Sequence, residues 1–133
     1  MSETRLADPQ KLEDALDNWA EIATGWARRL QRPDDVLAPQ CFIMRDGVPV
    51  RTVNLVGGDG GLIDRAFAEA ILERDADFFA AVYMTQANVS PSPVDIETLN
   101  VTVGNRRRTR RRVFLVTRDD AGFIADLTRF ALN

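Results

Sequence analysis

Residues 8–32 carry the longest regular apolar pattern in the chain, and it narrows the folds that the chain can adopt. Asp8 is a suitable N-cap and Pro9 a suitable first helical residue, whereas Pro33 is expected to end the helix. The stripe is too short for a coiled coil, so we predict an amphipathic helix that lies on a sheet. Its apolar residues recur every three or four positions, at Leu12, Leu16, Trp19, Ala23, Trp26 and Leu30.

Most of the remaining pattern is typical of strands separated by turns. Residues 40–45 and 48–56 flank Asp46-Gly47, the dipeptide most typical of a two-residue hairpin. Alternating or continuous apolar residues predict further strands at 78–86, 99–103 and 112–117. The last segment, 123–132, fits either a strand or a helix. Its aromatic residues and the short turn before it favour a strand.

A second amphipathic helix is predicted at 62–74, after the glycine-rich loop 57–61. The spacing of those glycines fits neither the P-loop nor the dinucleotide fingerprint, so Asp59 is interpreted as a helix cap. The element order is α-β-β-α-β-β-β-(β). We therefore predict an α+β fold in a single domain of residues 1–133. Its mixed or antiparallel sheet has about five to six strands, with two helices packed on one face.

This order of elements resembles a small uncharacterised α/β family found in bacteria and phages. The segments that carry the resemblance are Asp75-Ala76-Asp77, the strand 81–87, the loop 91–93 and residues 113–126. Together they cover most of the chain. The resemblance implies a helix, a hairpin, a second helix, a buried strand, an arginine-bearing loop and a final hairpin. It implies no activity.

The residue types present argue against most enzyme classes. The chain has no histidine, one cysteine (Cys41) and one lysine (Lys11). Serine–histidine and cysteine–histidine catalysis and nearly all zinc sites need histidine, and a phosphate-binding loop needs a lysine. The acidic pairs Asp34-Asp35 and Asp119-Asp120 fall where turns are expected. We predict a protein that is not an enzyme and has no cofactor and no metal site.

Targeting signals are equally sparse. The first residues are polar, without the apolar core of a signal peptide, and no apolar run approaches the roughly 20 residues that span a bilayer. A lone Cys41 cannot form an internal disulfide. We therefore expect no membrane association and a cytoplasmic location.

The charge of the chain is divided unevenly along its length. Residues 1–104 hold nine basic and seventeen acidic residues, whereas residues 105–133 hold eight arginines and three aspartates. The balances of −8 and +5 add up to the formal charge of −3. Six of those arginines lie within seven positions, at Arg106, Arg107, Arg108, Arg110, Arg111 and Arg112.

This arginine run is the one strong candidate for a functional site. Guanidinium groups bind phosphate bidentately, and a hairpin from Leu99 to Thr117 would place the run at its tip and flank. We predict a binding protein that contacts a polyanion, either nucleic acid or a nucleoprotein, through these six arginines. The competing interpretation is a solvated basic arm, or one that pairs with the protein's own carboxylates.

A different kind of interaction stays open beside it. Trp19 and Trp26 lie seven residues apart on one helical face, where core packing is the expected role. If the stripe is exposed, the helix becomes a partner-binding surface. The alternative function is thus a protein-interaction or phage-type accessory module, acting through this helix or an open sheet edge, with a protein partner or as a homodimer.

Overall fold

The computed structural model describes residues 9–45, 48–54, 78–88, 95–105 and 108–130. Within these ranges one helix and six strands form. They are α1 (Pro9–Arg28), β1 (Gln40–Arg45), β2 (Val48–Asn54), β3 (Phe78–Asn88), β4 (Asp95–Gly104), β5 (Thr109–Arg118) and β6 (Ile124–Phe130).

The strands form a single sheet in the order β2-β1-β3-β4-β5-β6. Every neighbouring pair is antiparallel. The α+β class predicted from the sequence is confirmed. The helix predicted at 62–74 and the glycine-rich loop 57–61 lie outside the described residues, so the second helix and the single-domain organisation stay predictions.

The hairpin predicted around residues 46–47 is confirmed by the strands that flank it. Arg45 pairs with Val48, which leaves a two-residue connection. The register shifts between Ile43 and Met44, opposite Pro49. Proline lacks an N–H for the ladder, and its place on β2, an outer strand of the sheet, is where it is tolerated best.

Helix α1 is shorter than its apolar stripe suggests. It ends at Arg28, and 3₁₀-type bonds join Arg29 N–H to the Trp26 carbonyl and Leu30 N–H to the Ala27 carbonyl. The expectation that Pro33 ends the helix was wrong. Within this helix Gly25 is not needed for close packing, because an added Cβ there meets no atom within 4 Å.

The core lies between α1 and one face of the sheet. Alternation along β3 and β4 sends every second side chain to this face. In α1, Leu12, Leu16 and Ala23 of the predicted stripe supply the other side of the core together with Ala27, which was not predicted. The buried residues of the whole core are Leu12, Leu16, Ala23, Ala27, Phe78, Ala80, Val82, Leu99, Val101, Val103 and Leu127.

The later strands extend beyond the runs from which they were predicted. β4 begins at Asp95 and β5 at Thr109, so Arg110 and Arg111 belong to a strand and not to a loop. Cross-strand pairing overrides the polar sequence here, because each added residue extends the antiparallel ladder. Residues 124–130 form β6, which confirms the strand interpretation of the last segment. No described helix combines the length and apolarity that a membrane crossing requires.

The sheet face opposite α1 is also buried across its central strands. Cys41, Ile43 and Phe79 are each at most 2% exposed on that face. Cys41 is thus a small buried residue of the sheet, and burial raises the pKa of its thiol to about 12.

This pKa shift predicts a loss of stability in alkaline solution. An unfolded thiol ionises near pH 8.5, whereas the folded one keeps its proton up to about pH 12. The unfolded state therefore binds fewer protons between these values, and stability should fall by about 1.4 kcal/mol per pH unit. Denaturation of wild type and Cys41→Ala at several values between pH 8 and 10.5 measures how steeply the free energy of unfolding falls with pH in each protein. Equal slopes would contradict the burial of the thiol.

Candidate functional site

The arginine run begins at the turn between β4 and β5, as the sequence predicted. Asn105 N–H donates to the Arg108 carbonyl, and Arg108 N–H donates to Asn105 Oδ1. Gly104 is required by the packing, since an added Cβ would lie 2.7 Å from the Phe79 ring and 2.9 Å from the Arg108 carbonyl oxygen. A turn held in this way carries Arg108 at the surface.

The run does not form one continuous basic surface. In β5, Arg110 pairs with Val103 and Arg112 with Val101, so both arginines lie on the face that α1 covers. Arg111 pairs with Thr102 and lies on the opposite face, where it is exposed. Arg106 and Arg107 lie outside the described residues.

Arg112 is buried between the sheet and α1. Only 9% of its side chain is exposed, its NH1 donates to Asp17 Oδ1, and its NH2 lies 3.5 Å from Glu13 Oε2. Glu13 and Asp17 are one turn apart on α1 and so present both carboxylates to the same strand. Arg112 thus joins the helix to the sheet, which supports internal pairing for this member of the run.

Arg110 is bound much more loosely. Its Nε lies 3.9 Å from Glu13 Oε1, and 43% of its side chain is exposed. An ion pair this long and exposed contributes little to stability, on the order of 0–1 kcal/mol. Glu13 is therefore shared between a buried arginine and an exposed one.

A second arginine site, at the far end of β5, was missed by the sequence analysis. Arg118 donates to both carboxylate oxygens of Glu97, at 2.7 and 2.8 Å. It also donates to the main-chain carbonyls of Gly122 and Asp35, each at 2.7 Å. Arg118 and Glu97 lie on one sheet face at diagonal positions of adjacent strands, a register that sequence spacing does not reveal.

Four acceptors fix the Arg118 guanidinium, and the pKa of this group is raised above its ordinary value. The hydrogen bond to Glu97 is the main cause, desolvation opposes it, and the charges of Glu97, Asp34 and Asp35 add to it. Asp34 N–H also donates to the Gly122 carbonyl, and both residues have positive φ. The arginine therefore fastens the loop after α1 to the β5–β6 turn.

Trp19 and Trp26 form an aromatic cluster with Phe42 of β1. The Trp19 ring stacks on Phe42 at a centroid distance of 5.2 Å, and the two tryptophans meet edge to face at 6.4 Å. All three residues are half-buried, and the two tryptophans pack against the core. This placement supports the packing role, while leaving part of each ring accessible.

A cavity of about 220 Å³ lies next to this cluster. It is lined by Trp26, Leu37, Ala38, Gln40 and Val82. Leu37 N–H donates to Met84 Sδ at 3.3 Å, which holds the loop after α1 at the rim. The lining is mostly apolar, with the Gln40 amide as its polar side chain.

The acidic pairs interpreted as turn residues lie in turns. Asp119 Oδ1 accepts from the N–H groups of Ala121 and Phe123, and Asp35 Oδ1 accepts from Val36 N–H. In the ranges that the structure describes, no three acidic or cysteine side chains are arranged to hold a metal ion.

Polar side chains also line β3 and β4 on the face opposite α1. The Thr85 and Thr98 hydroxyls are 2.8 Å apart, and Asn100 Nδ2 donates to Thr98 Oγ1 at 3.0 Å. Thr102 continues the row but is only 5% exposed, and among the described residues its hydroxyl has no partner. A buried hydroxyl left in this state costs stability.

Replacing Thr102 with valine should therefore leave stability unchanged or raise it by about 1 kcal/mol. Valine keeps the shape of threonine and removes the desolvated hydroxyl. Thr98→Val is the matched control. It should destabilise the protein by about 1 kcal/mol, because it removes a hydroxyl that is hydrogen-bonded to Thr85 and Asn100. Both values come from urea denaturation. A loss of more than 1 kcal/mol in Thr102→Val would mean that this hydroxyl has a partner.

Comparisons with known proteins add no further assignment. No protein-family model, no curated protein and no solved structure matches this chain. The resemblance to a small family of bacteria and phages stays a prediction, and the functional argument depends on the geometry of the chain's own residues.

Proposed function

We propose that this protein is a binding module that contacts nucleic acid through the tip of the β4–β5 hairpin. The observation that supports this most is the division of the run into an anchored arginine and exposed ones. Arg112 is held by two carboxylates, whereas Arg108 is exposed at the turn and Arg110 has one distant partner. The tip therefore offers guanidinium groups to phosphate on a rigid support.

The binding would be electrostatic and independent of base sequence. Arginine forks onto phosphate oxygens, and contacts of this kind position a protein on the backbone without reading bases. The acidic remainder of the chain would keep the contact restricted to the hairpin tip, because it repels the same backbone elsewhere. The cytoplasmic location and the absence of enzymatic activity belong to this proposal.

The test replaces Arg106, Arg107, Arg108 and Arg110 with serine and measures binding to a short fluorescent duplex by anisotropy. Arg111 and Arg112 are kept, since one lies on the other face and one anchors the helix. The variant should lose at least about tenfold in affinity, because each phosphate contact contributes to the counterion release on which binding depends. Its unfolding curve should match wild type, since exposed ion pairs contribute little.

A control with the same charge change removes four arginines elsewhere. Arg28, Arg29, Arg32 and Arg129 are all exposed and far along the chain from the hairpin tip. Replacing them with serine should reduce affinity much less than the hairpin variant does. Equal losses in the two variants, or a wild type that binds no duplex, would contradict the proposal.

The second candidate is a protein-interaction module, and the cavity beside Trp26 favours it. A half-exposed aromatic cluster next to an apolar recess is a common form of anchor site for a partner side chain. The edge of the sheet at β6 gives weaker support for a protein-interaction module. At β6, Asp126 Oδ1 accepts from Leu127 N–H, and the carboxylate occupies an edge that an added strand would need.

Filling the cavity separates this candidate from the first. Ala38 is exposed at the rim, so Ala38→Trp should block the recess without disturbing the core. Ala125→Trp, at an exposed position of β6, is the matched control. A partner captured by wild type and by Ala125→Trp, but lost with Ala38→Trp, would support the interaction module. If wild type and both variants capture the same partner, the recess is not its binding site.

A further inference from the structure

We infer that Glu13 competes with incoming phosphate groups for Arg110, and so controls how readily this arginine of the hairpin tip binds nucleic acid. This inference rests on the proposed function and assigns a regulatory contact to the same site. The observation behind it is that Arg110 and Arg112 share the carboxylate of Glu13. Glu13 Oε1 lies 3.9 Å from Arg110 Nε, and Glu13 Oε2 lies 3.5 Å from Arg112 NH2.

The two arginines differ in what they lose if Glu13 turns away. Arg112 keeps Asp17, whose Oδ1 accepts from its NH1, so the buried charge stays compensated. Arg110 has no other carboxylate among the described ion pairs, and 43% of its side chain is exposed. Release of Glu13 therefore frees Arg110 and leaves the anchor intact.

Phosphate can take the place of Glu13 because the same guanidinium edge binds both anions. A phosphodiester brings two acceptor oxygens to the fork geometry of arginine. The Glu13 side chain is 41% exposed, so its carboxylate can rotate into water at little cost. Bound nucleic acid would thus exchange one anion for another at Arg110, and the carboxylate lowers the affinity because phosphate must displace it from that arginine.

Replacing Glu13 with glutamine tests this exchange. The variant keeps the size of the side chain and removes its charge, so duplex affinity should rise about two- to fivefold at low salt. Glu21→Gln is the matched control on the same helix. Glu21 is exposed and eight residues further along, a distance of about 12 Å, so its charge is not in contact with Arg110 and its removal should change affinity much less.

A double variant identifies the arginine. In an Arg110→Ser background, Glu13→Gln should no longer raise affinity, since the controlled arginine is absent. If Glu13→Gln and Glu21→Gln raise affinity equally, or if the gain persists without Arg110, the inference is wrong while nucleic-acid binding stands. If neither wild type nor Glu13→Gln binds duplex, the proposed function fails and the inference with it.

Discussion

Replacing Arg118 with methionine should lower the free energy of unfolding by about 3 kcal/mol. Glu97 is only 12% exposed and would keep a charge without its cation. The Gly122 and Asp35 carbonyls would lose their donors as well. Urea denaturation followed by circular dichroism measures the change.

Two further variants show where that energy comes from. Arg118→Lys keeps the charge but cannot fork onto Glu97, so it should recover only part of the loss. Combining Arg118→Met with Glu97→Gln should be less destabilising than Arg118→Met alone, because no unpaired carboxylate remains. An Arg118→Met protein within 1 kcal/mol of wild type would mean that the loop after α1 is not fastened in solution.

Replacing Trp19 with alanine should cost about 3 kcal/mol, the lower end of the range for a large aromatic side chain. The indole is half-buried and stacks on Phe42, so its removal exposes β1 and loosens the contact with Trp26. Unfolding monitored by the remaining Trp26 fluorescence gives the value.

Trp19→Phe is the conservative control for that measurement. It keeps a ring against Phe42 and should restore more than half of the loss, because most of the stacked area remains. A cost below about 1 kcal/mol for Trp19→Ala would place Trp19 in solvent and favour the interaction module over packing.

Periodic features of the chain were predictable because they repeat locally. The apolar stripe that begins at Leu12, the hairpin around residues 46–47 and the strand at 124–130 follow from spacing and turn chemistry. The end of α1 was not predictable in this way, because 3₁₀-type hydrogen bonds to the Trp26 and Ala27 carbonyls end the helix before Pro33 is reached. Helix ends depend on such local competition.

The candidate site was predictable in composition but not in arrangement. Sequence alone identifies six arginines and a hairpin, and alternation on a strand already separates Arg111 from Arg110. It does not reveal that Glu13 and Asp17 meet Arg112, since even the nearer of the two, Asp17, lies 95 positions before Arg112 in the chain. For the same reason the bond between Arg118 and Glu97, which no motif marks, was missed.

The salt dependence of duplex binding by wild type tests the central claim most directly. Each neutralised phosphate releases counterions, so log affinity should fall with log salt at a slope of about −0.9 per contact. Contacts from Arg106, Arg107, Arg108 and Arg110 predict a slope of roughly −3 to −4, reduced to near zero in the quadruple serine variant. A wild-type protein with no measurable affinity at low salt, or with a flat salt response, would contradict nucleic-acid binding through the hairpin tip.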